Sequence, residues 1–148
     1  MSSDLFSLEG RVAIVTGGAG QLGREIVRGL EERGARVAVF DLEADEFRVD
    51  VTDRDAIEAA TKRVGDEWGV PHILVNAAAL DSPPDAPPEE VGPVETYPEE
   101  SFDRVMDVNV KGVFLGTKYA VPEMKKSFTF CPGSSRLGGS QGRRDECK

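Results

Sequence analysis

Three glycines spaced three apart, Gly17, Gly20 and Gly23, separate the apolar run Val12-Ala13-Ile14-Val15-Thr16 from a helix-patterned segment that opens with Gln21 and Leu22. Residues of these types in this order can hold a pyrophosphate. Glycine lets the backbone turn tightly and approach a ligand closely, and the unpaired N–H groups of a helix start point at its negative charge. About 20 residues further on, Asp41 closes a second apolar run, Arg36-Val37-Ala38-Val39-Phe40, and is followed by Leu42. A carboxylate there can accept hydrogen bonds from ribose hydroxyls and repels a 2′-phosphate, which selects NAD over NADP. Either feature alone has a plainer reading, as a loop or as a solvated strand end. Their order and separation together carry the inference.

Such residues need a scaffold to bring them together, and the apolar pattern supplies one. Residues 11–16 read as a strand, and 21–33 as a helix with Leu22, Ile26, Val27 and Leu30 on one face, stopped by Gly34. Residues 36–40 read as a second strand and 47–51 as a third. Thr52 or Asp53 can cap a helix that runs to Trp68, with Ile57, Ala60 and Val64 inward. Residues 71–76 form a fourth, continuously apolar strand of the kind covered on both faces. A long helix spans 99–125 and begins near Pro98. This alternation predicts an α/β fold with a doubly wound parallel sheet of about four strands.

Two departures stand out. Only residues 42–46 connect the second and third strands, where a parallel crossover normally takes a dozen or more residues and a helix, so one face of those strands is expected to be poorly covered. A proline-rich segment, 81–93, leaves the carboxyl end of the fourth strand, the edge at which open α/β sheets bind ligands. A stiff solvated loop is its plainer reading.

Composition limits the alternatives. The chain is 39% hydrophobic and 30% charged, ordinary for a globular protein, and no apolar run approaches the roughly 20 residues of a membrane helix. The start, Met1-Ser2-Ser3-Asp4, has no basic region or apolar signal core, so a cytoplasmic location is expected. A net charge of −9 argues against a nucleic-acid surface. Cys131 and Cys147 have neither metal-ligand spacing nor a histidine partner, so neither a metal site nor a disulfide framework is expected. His72, the only histidine, and Trp68, the only tryptophan, read as structural. Lys111, Lys118, Lys125 and Lys126 fit the solvated side of the long helix, whereas Asn109 is polar within an apolar stretch and needs partners.

Thr16-Gly17-x-x-Gly20-x-x-Gly23, Asp50-Val51, Asn76-Ala77-Ala78-Ala79 and Val108-Asn109-Val110-Lys111-Gly112-Val113-Phe114, in that order, resemble the short-chain dehydrogenase/reductase family over about residues 6–126. The resemblance implies a Rossmann-type fold and an NAD-dependent oxidoreductase acting on a small-molecule secondary alcohol or ketone. It implies that the glycine turn holds the pyrophosphate and that the acid at Asp50, with Val51, contacts the adenine. It also implies that Asn76, Ala77 and Ala78 line the nicotinamide side and that Asn109 joins a proton relay. The turn departs from the family's short type, since Gln21 stands at the second glycine and Gly20 comes one place early, as in extended, epimerase-like members acting on nucleotide sugars. Ala79 replaces the glycine of Asn-Ala-Gly.

Family catalysis also uses Ser, Tyr and Lys, the last two as Tyr-x-x-x-Lys, and this sequence contains no Tyr-x-x-x-Lys. A phenol with pKa near 10 is a poor base at neutral pH unless a cation stabilises its anion, which is why both residues are wanted. Ser135 can stand at the family serine, although Pro132 and Gly133 interrupt the strand that should precede it. Residues 127–148 therefore read as a divergent disordered tail, and 1–126 as a partial dinucleotide-binding domain that stops short of the catalytic Tyr and Lys. On that reading the fourth strand is an exposed edge open to self-association, and a non-catalytic dinucleotide-binding fragment is the alternative function.

Overall fold

The computed structural model describes residues 5–81 and 86–127. Strand β1, Val12–Thr16, is buried at every position, as its unbroken run of apolar and β-branched residues requires. It lies between β2, Arg36–Asp41, and β4, Ile73–Asn76, and is parallel to both. The two-residue β3, Phe47–Arg48, pairs with the far end of β2, giving the order β3-β2-β1-β4. Helix α1, Gln21–Glu31, connects β1 to β2, and α2, Arg54–Trp68, connects β3 to β4. After β4 come α3, Pro88–Val91, a 3-10 turn at Val94–Thr96, and one continuous helical path. That path consists of α4, Glu99–Met106, a π-helical stretch, Asp107–Gly112, α5, Val113–Met124, and a closing turn, Lys125–Ser127. The predicted parallel α/β architecture is what the chain adopts.

Alternation along the strands divides the core. Val12, Ile14, Ala38 and Phe40 pack with Ile57 and Val64 of α2 and Leu115 of α5 in one buried cluster. Asp53 starts α2: its Oδ1 accepts the N–H groups of Asp55 at 2.9 Å and Ala56 at 3.1 Å, two of the donors a helix start leaves unpaired. Trp68 closes the bottom of this layer as a packing residue, edge-on to Phe47 at 5.3 Å with the Arg36 guanidinium 3.7 Å over its ring. His72 is structural too, because its Nδ1 accepts the Val12 N–H at 3.2 Å where β4 joins β1.

Several boundaries differ from the sequence expectation. The third strand is shorter than 47–51 because β2 ends at Asp41, so Val49 retains only one ladder-like bond, its N–H to the Asp41 carbonyl at 3.0 Å. Leu22 is 79% exposed and does not join Ile26, Val27 and Leu30, since the first turn of α1 projects beyond the carboxyl end of the sheet. The long helix widens into π-helical turns around Asn109. Within the proline-rich segment, residues 88–91 form a helical turn with Pro88 first and Glu89 and Glu90 behind it, an order suited to a helix start. Ser82–Asp85 lie outside the described residues, as do Ser135, both cysteines and all of 128–148.

The missing crossover helix leaves the expected gap. On the α2 side of β2, Ala38 and Phe40 are buried, while Val37 and Val39 on the α1 side remain partly exposed beneath the 42–46 strap. Arg63 of α2 anchors the end of that strap. Its Nη1 donates to the Glu46 carbonyl at 3.1 Å, its Nη2 lies 3.5 Å from the Glu46 carboxylate, and its Nε donates to Glu67 at 2.8 Å. The Glu67 hydrogen bond is the main reason the Arg63 guanidinium is held above its ordinary pKa. These groups are about half exposed, so each pair contributes roughly 0–1 kcal/mol.

One helix supplies a matched test of the packing. A Cβ on Gly23 would sit 2.0 Å from the Gly17 carbonyl oxygen, whereas a Cβ on Gly29, also in α1, would meet nothing within 4 Å. Gly23→Ala is expected to destabilise by about 2 kcal/mol or more, because backbone on both sides must shift. Gly29→Ala is expected to stabilise by about 0.5–1 kcal/mol through helix propensity. Urea denaturation of the two variants checks the opposite signs.

Candidate functional site

The carboxyl ends of β1, β2 and β4 converge on the start of α1. Gly17 follows β1 with φ +68°, a left-handed conformation that glycine adopts without a Cβ penalty. A Cβ there would also lie 2.5 Å from Ala78 Cα, so the turn after β1 and the chain after β4 touch backbone to backbone. Gly23 keeps α1 equally close to Gly17. Gly20 is the N-cap and offers no side chain to the helix start. The first helical hydrogen bond runs from the Arg24 N–H to the Gly20 carbonyl, so the amides of Gln21, Leu22 and Gly23 precede it and remain available to an anion. An uncapped helix start behind a turn that any Cβ would obstruct fits a pyrophosphate.

Three polar side chains fix this geometry. Thr16 Oγ1 accepts the N–H groups of Ala77 at 3.1 Å and Ala78 at 3.3 Å, tying the end of β1 to the end of β4. Asp41 Oδ2 accepts the Ala19 N–H at 3.0 Å and its Oδ1 the Glu43 N–H at 3.0 Å. One carboxylate thus holds both the glycine turn and the strap, and each oxygen keeps a lone pair for a further donor. Asn109 binds Leu80 at both ends: Oδ1 accepts the Leu80 N–H at 2.7 Å, and Nδ2 donates to the Leu80 carbonyl at 2.9 Å. The wide π-helical turn presents this amide to the loop that leaves β4.

Among the described residues, the remaining sequence candidates have local duties. Asp50 Oδ1 accepts both the N–H of Thr52 at 2.8 Å and its hydroxyl at 2.7 Å. Val51 is buried, and its Cγ2 would lie 2.9 Å from a Cβ on Gly112, so Gly112 lets the π-helical stretch pass close to it. Asn76 Nδ2 donates to Thr117 Oγ1 at 3.3 Å, while its buried Oδ1 has no hydrogen-bond partner among the described residues and would sit 2.6 Å from a Cβ on Gly116. Leu42 is exposed beyond Asp41. No group of three or more His, Cys, Asp or Glu side chains capable of holding a metal ion occurs among the described residues. No described helix is long and apolar enough to cross a membrane.

Sequence reasoning gives Thr16, Gly18 and Ala19 no separate role, yet each shapes the site. A Cβ on Gly18 would lie 2.8 Å from Val39 Cγ1 and 3.2 Å from Val27 Cγ2, so this glycine seats the turn on the sheet. The doubled glycine is the visible signal for it. Nothing in sequence alone shows that the Ala19 amide points at Asp41.

The family model for short chain dehydrogenase matches residues 11–129. Zerumbone synthase from Zingiber zerumbet is 33% identical over 140 residues, which cover 81% of this chain and 50% of that protein. The 2-(R)-hydroxypropyl-CoM dehydrogenase of Xanthobacter autotrophicus is 35% identical over 132 residues, covering 77% and 51%. Among solved structures, a 3-ketoacyl-(acyl-carrier-protein) reductase from Brucella melitensis complexed with NADH superposes with a TM-score of 0.71 at 28% identity, over 82% of this chain and 53% of that one. The chain spans about half the length of the curated relatives it matches. Glycine turn, strand order and family match agree, and the chain belongs to the short-chain dehydrogenase/reductase family of oxidoreductases.

Proposed function

We propose that this chain carries the dinucleotide-binding portion of an NAD(H)-dependent oxidoreductase that interconverts a secondary alcohol and a ketone. The observation that carries the choice of NAD is Asp41, held at the carboxyl end of β2 by the Ala19 amide of the glycine turn. A carboxylate fixed there is placed to accept the adenosine ribose hydroxyls and opposes a 2′-phosphate. The amides of Gln21, Leu22 and Gly23 receive the pyrophosphate, and Asp50 and Val51 border the adenine. Asn76, Ala77 and Ala78 border the nicotinamide. Bound nicotinamide supplies the hydride acceptor or donor, and the protein supplies binding and orientation.

Asn109 enters this proposal as a positioning residue, because both ends of its amide are committed to Leu80. It sets the loop that follows Ala77 and Ala78. The sequence contains no Tyr-x-x-x-Lys, and Ser135 lies outside the described residues, so the proposal assigns the alcohol proton to no residue of this chain. A cytoplasmic location, a small-molecule substrate and self-association along the outer edge of β4 belong to the same reading. The last follows from the place of β4 at the end of the described sheet order, where edge backbone groups can template pairing.

Titration of the 148-residue chain with NADH and NADPH, followed by nucleotide fluorescence and thermal shift, tests the cofactor reading. NADH is expected to bind more tightly than NADPH and to raise the melting temperature, and Asp41→Ala is expected to lose that binding. A cooperative melt with no response to either nucleotide sinks the proposal. For Asn109→Ala the expected effect is selective. NADH affinity falls about tenfold, from the loss of two hydrogen bonds that hold the nicotinamide-side loop, while ADP-ribose, which lacks nicotinamide, binds as before. Equal losses for the two ligands would assign Asn109 to general folding.

A further inference from the structure

The short crossover leaves a hollow next to the ribose acceptor. A cavity of about 410 Å³ lies between α1 and the 42–46 strap, floored by Val37 and Val39, with Arg24 on the α1 wall and Glu43 and Asp45 on the strap wall. Ala19 lines it as well, and its amide is the one bound to Asp41 Oδ2. The Glu43 N–H is bound to Asp41 Oδ1. The ribose acceptor, the strap and the hollow therefore form one hydrogen-bonded unit. Of the charged groups lining the hollow, Arg28 pairs with Glu25 and Glu46 with Arg63, while no ion pair compensates Arg24, Glu31, Glu43 or Asp45 among the described residues.

We propose that Glu43 is a second determinant of cofactor choice: together with Asp41 it keeps out a 2′-phosphorylated dinucleotide, and Arg24 across the hollow is the cation that takes the phosphate once both carboxylates are neutralised. The inference rests on the cofactor reading above and extends it to the strap. A 2′-phosphate carries about two negative charges, and charges within roughly 8–10 Å still interact at physiological ionic strength. A crossover helix would carry the chain away over the sheet face. Five residues cannot, so the backbone turns back beside Asp41 and brings its carboxylates with it. Removing the Asp41 charge alone then leaves a strap that still opposes the phosphate. Arg24 can satisfy a phosphate with charge-assisted hydrogen bonds once the two carboxylates tied to the ribose acceptor are neutral, and Glu31 and Asp45 on the same lining limit the gain.

The test titrates NADH and NADPH into the wild-type chain, Asp41→Asn, Asp41→Asn with Glu43→Gln, and that pair combined with Arg24→Gln, with a melting curve for each. Asp41→Asn is expected to retain a preference for NADH. Adding Glu43→Gln is expected to tighten NADPH by about tenfold, and Arg24→Gln to remove that gain. Reversal of preference by Asp41→Asn alone, no change on adding Glu43→Gln, or a gain that survives Arg24→Gln overturns the proposal. Glu43 is exposed and meets Asp41 through its backbone, so the single variant Glu43→Gln is expected to melt like wild type. It serves if Asp41→Asn does not fold: NADPH should then bind the single variant about threefold more tightly than it binds wild type, and an unchanged affinity counts against the strap. Wild-type protein that melts cooperatively yet ignores NADH refutes the underlying cofactor reading, which separates that failure from a failure of the strap.

Discussion

The whole site hangs on backbone-to-backbone contact at the end of β1. Gly17 touches the chain after β4, and Gly23 touches Gly17. Those two approaches fix where α1 begins relative to the sheet, and hence where its free amides point. A side chain at either position would push the helix start away from the strand ends, and the anion cradle would open. The contact also explains why the turn is built from glycines without a side-chain cap: Gly20 leaves the amides of the first turn to a ligand rather than to the protein.

Around that contact, polar side chains hold backbone rather than one another. Thr16 joins β1 to β4, Asp41 joins β2 to the turn and the strap, and Asn109 joins the helical layer to the loop beyond β4. Each lies at the rim, where a ligand would lie, and each is already engaged. The same groups that stitch the strand ends therefore set the directions of the rim's amides and carboxylate oxygens in advance, as the proposed cofactor site requires. Exposed ion pairs such as Arg63 with Glu67 add little beside this.

The asymmetry of the sheet follows from a single deletion in the pattern. The α2 face is sealed by Ile57, Val64 and Leu115, whereas the α1 face of β2 is covered by α1 and a five-residue strap with a hollow left between them. That strap is strongly acidic, and it sets the Glu43 carboxylate two residues from Asp41 beside the glycine turn. The charge is local. It is bound to the glycine turn by hydrogen bonds, and the overall net charge of −9 neither creates nor explains it.

Much of this is legible in the sequence. The four parallel strands, a cap at Thr52 or Asp53, the missing crossover helix and the candidacy of Gly17, Gly20, Gly23 and Asp41 all rest on local chemistry: apolar period, glycine spacing, capping type and chain length between strands. Those properties act over a few residues, and sequence order alone transmits them. What only the tertiary structure decided depends on contacts between distant segments. Leu22 falls outside the core because no layer extends over the first turn of α1, and β3 stops early because β2 does. The long helix widens at the point where Asn109 meets Leu80, 29 residues away in the chain. Asp41 gains its double hold because the fold brings Ala19, 22 residues earlier, within hydrogen-bond reach. Sequence periodicity determines which face a residue takes. Which backbone group waits on the other side is set by how the layers close, and that is a property of the packed chain.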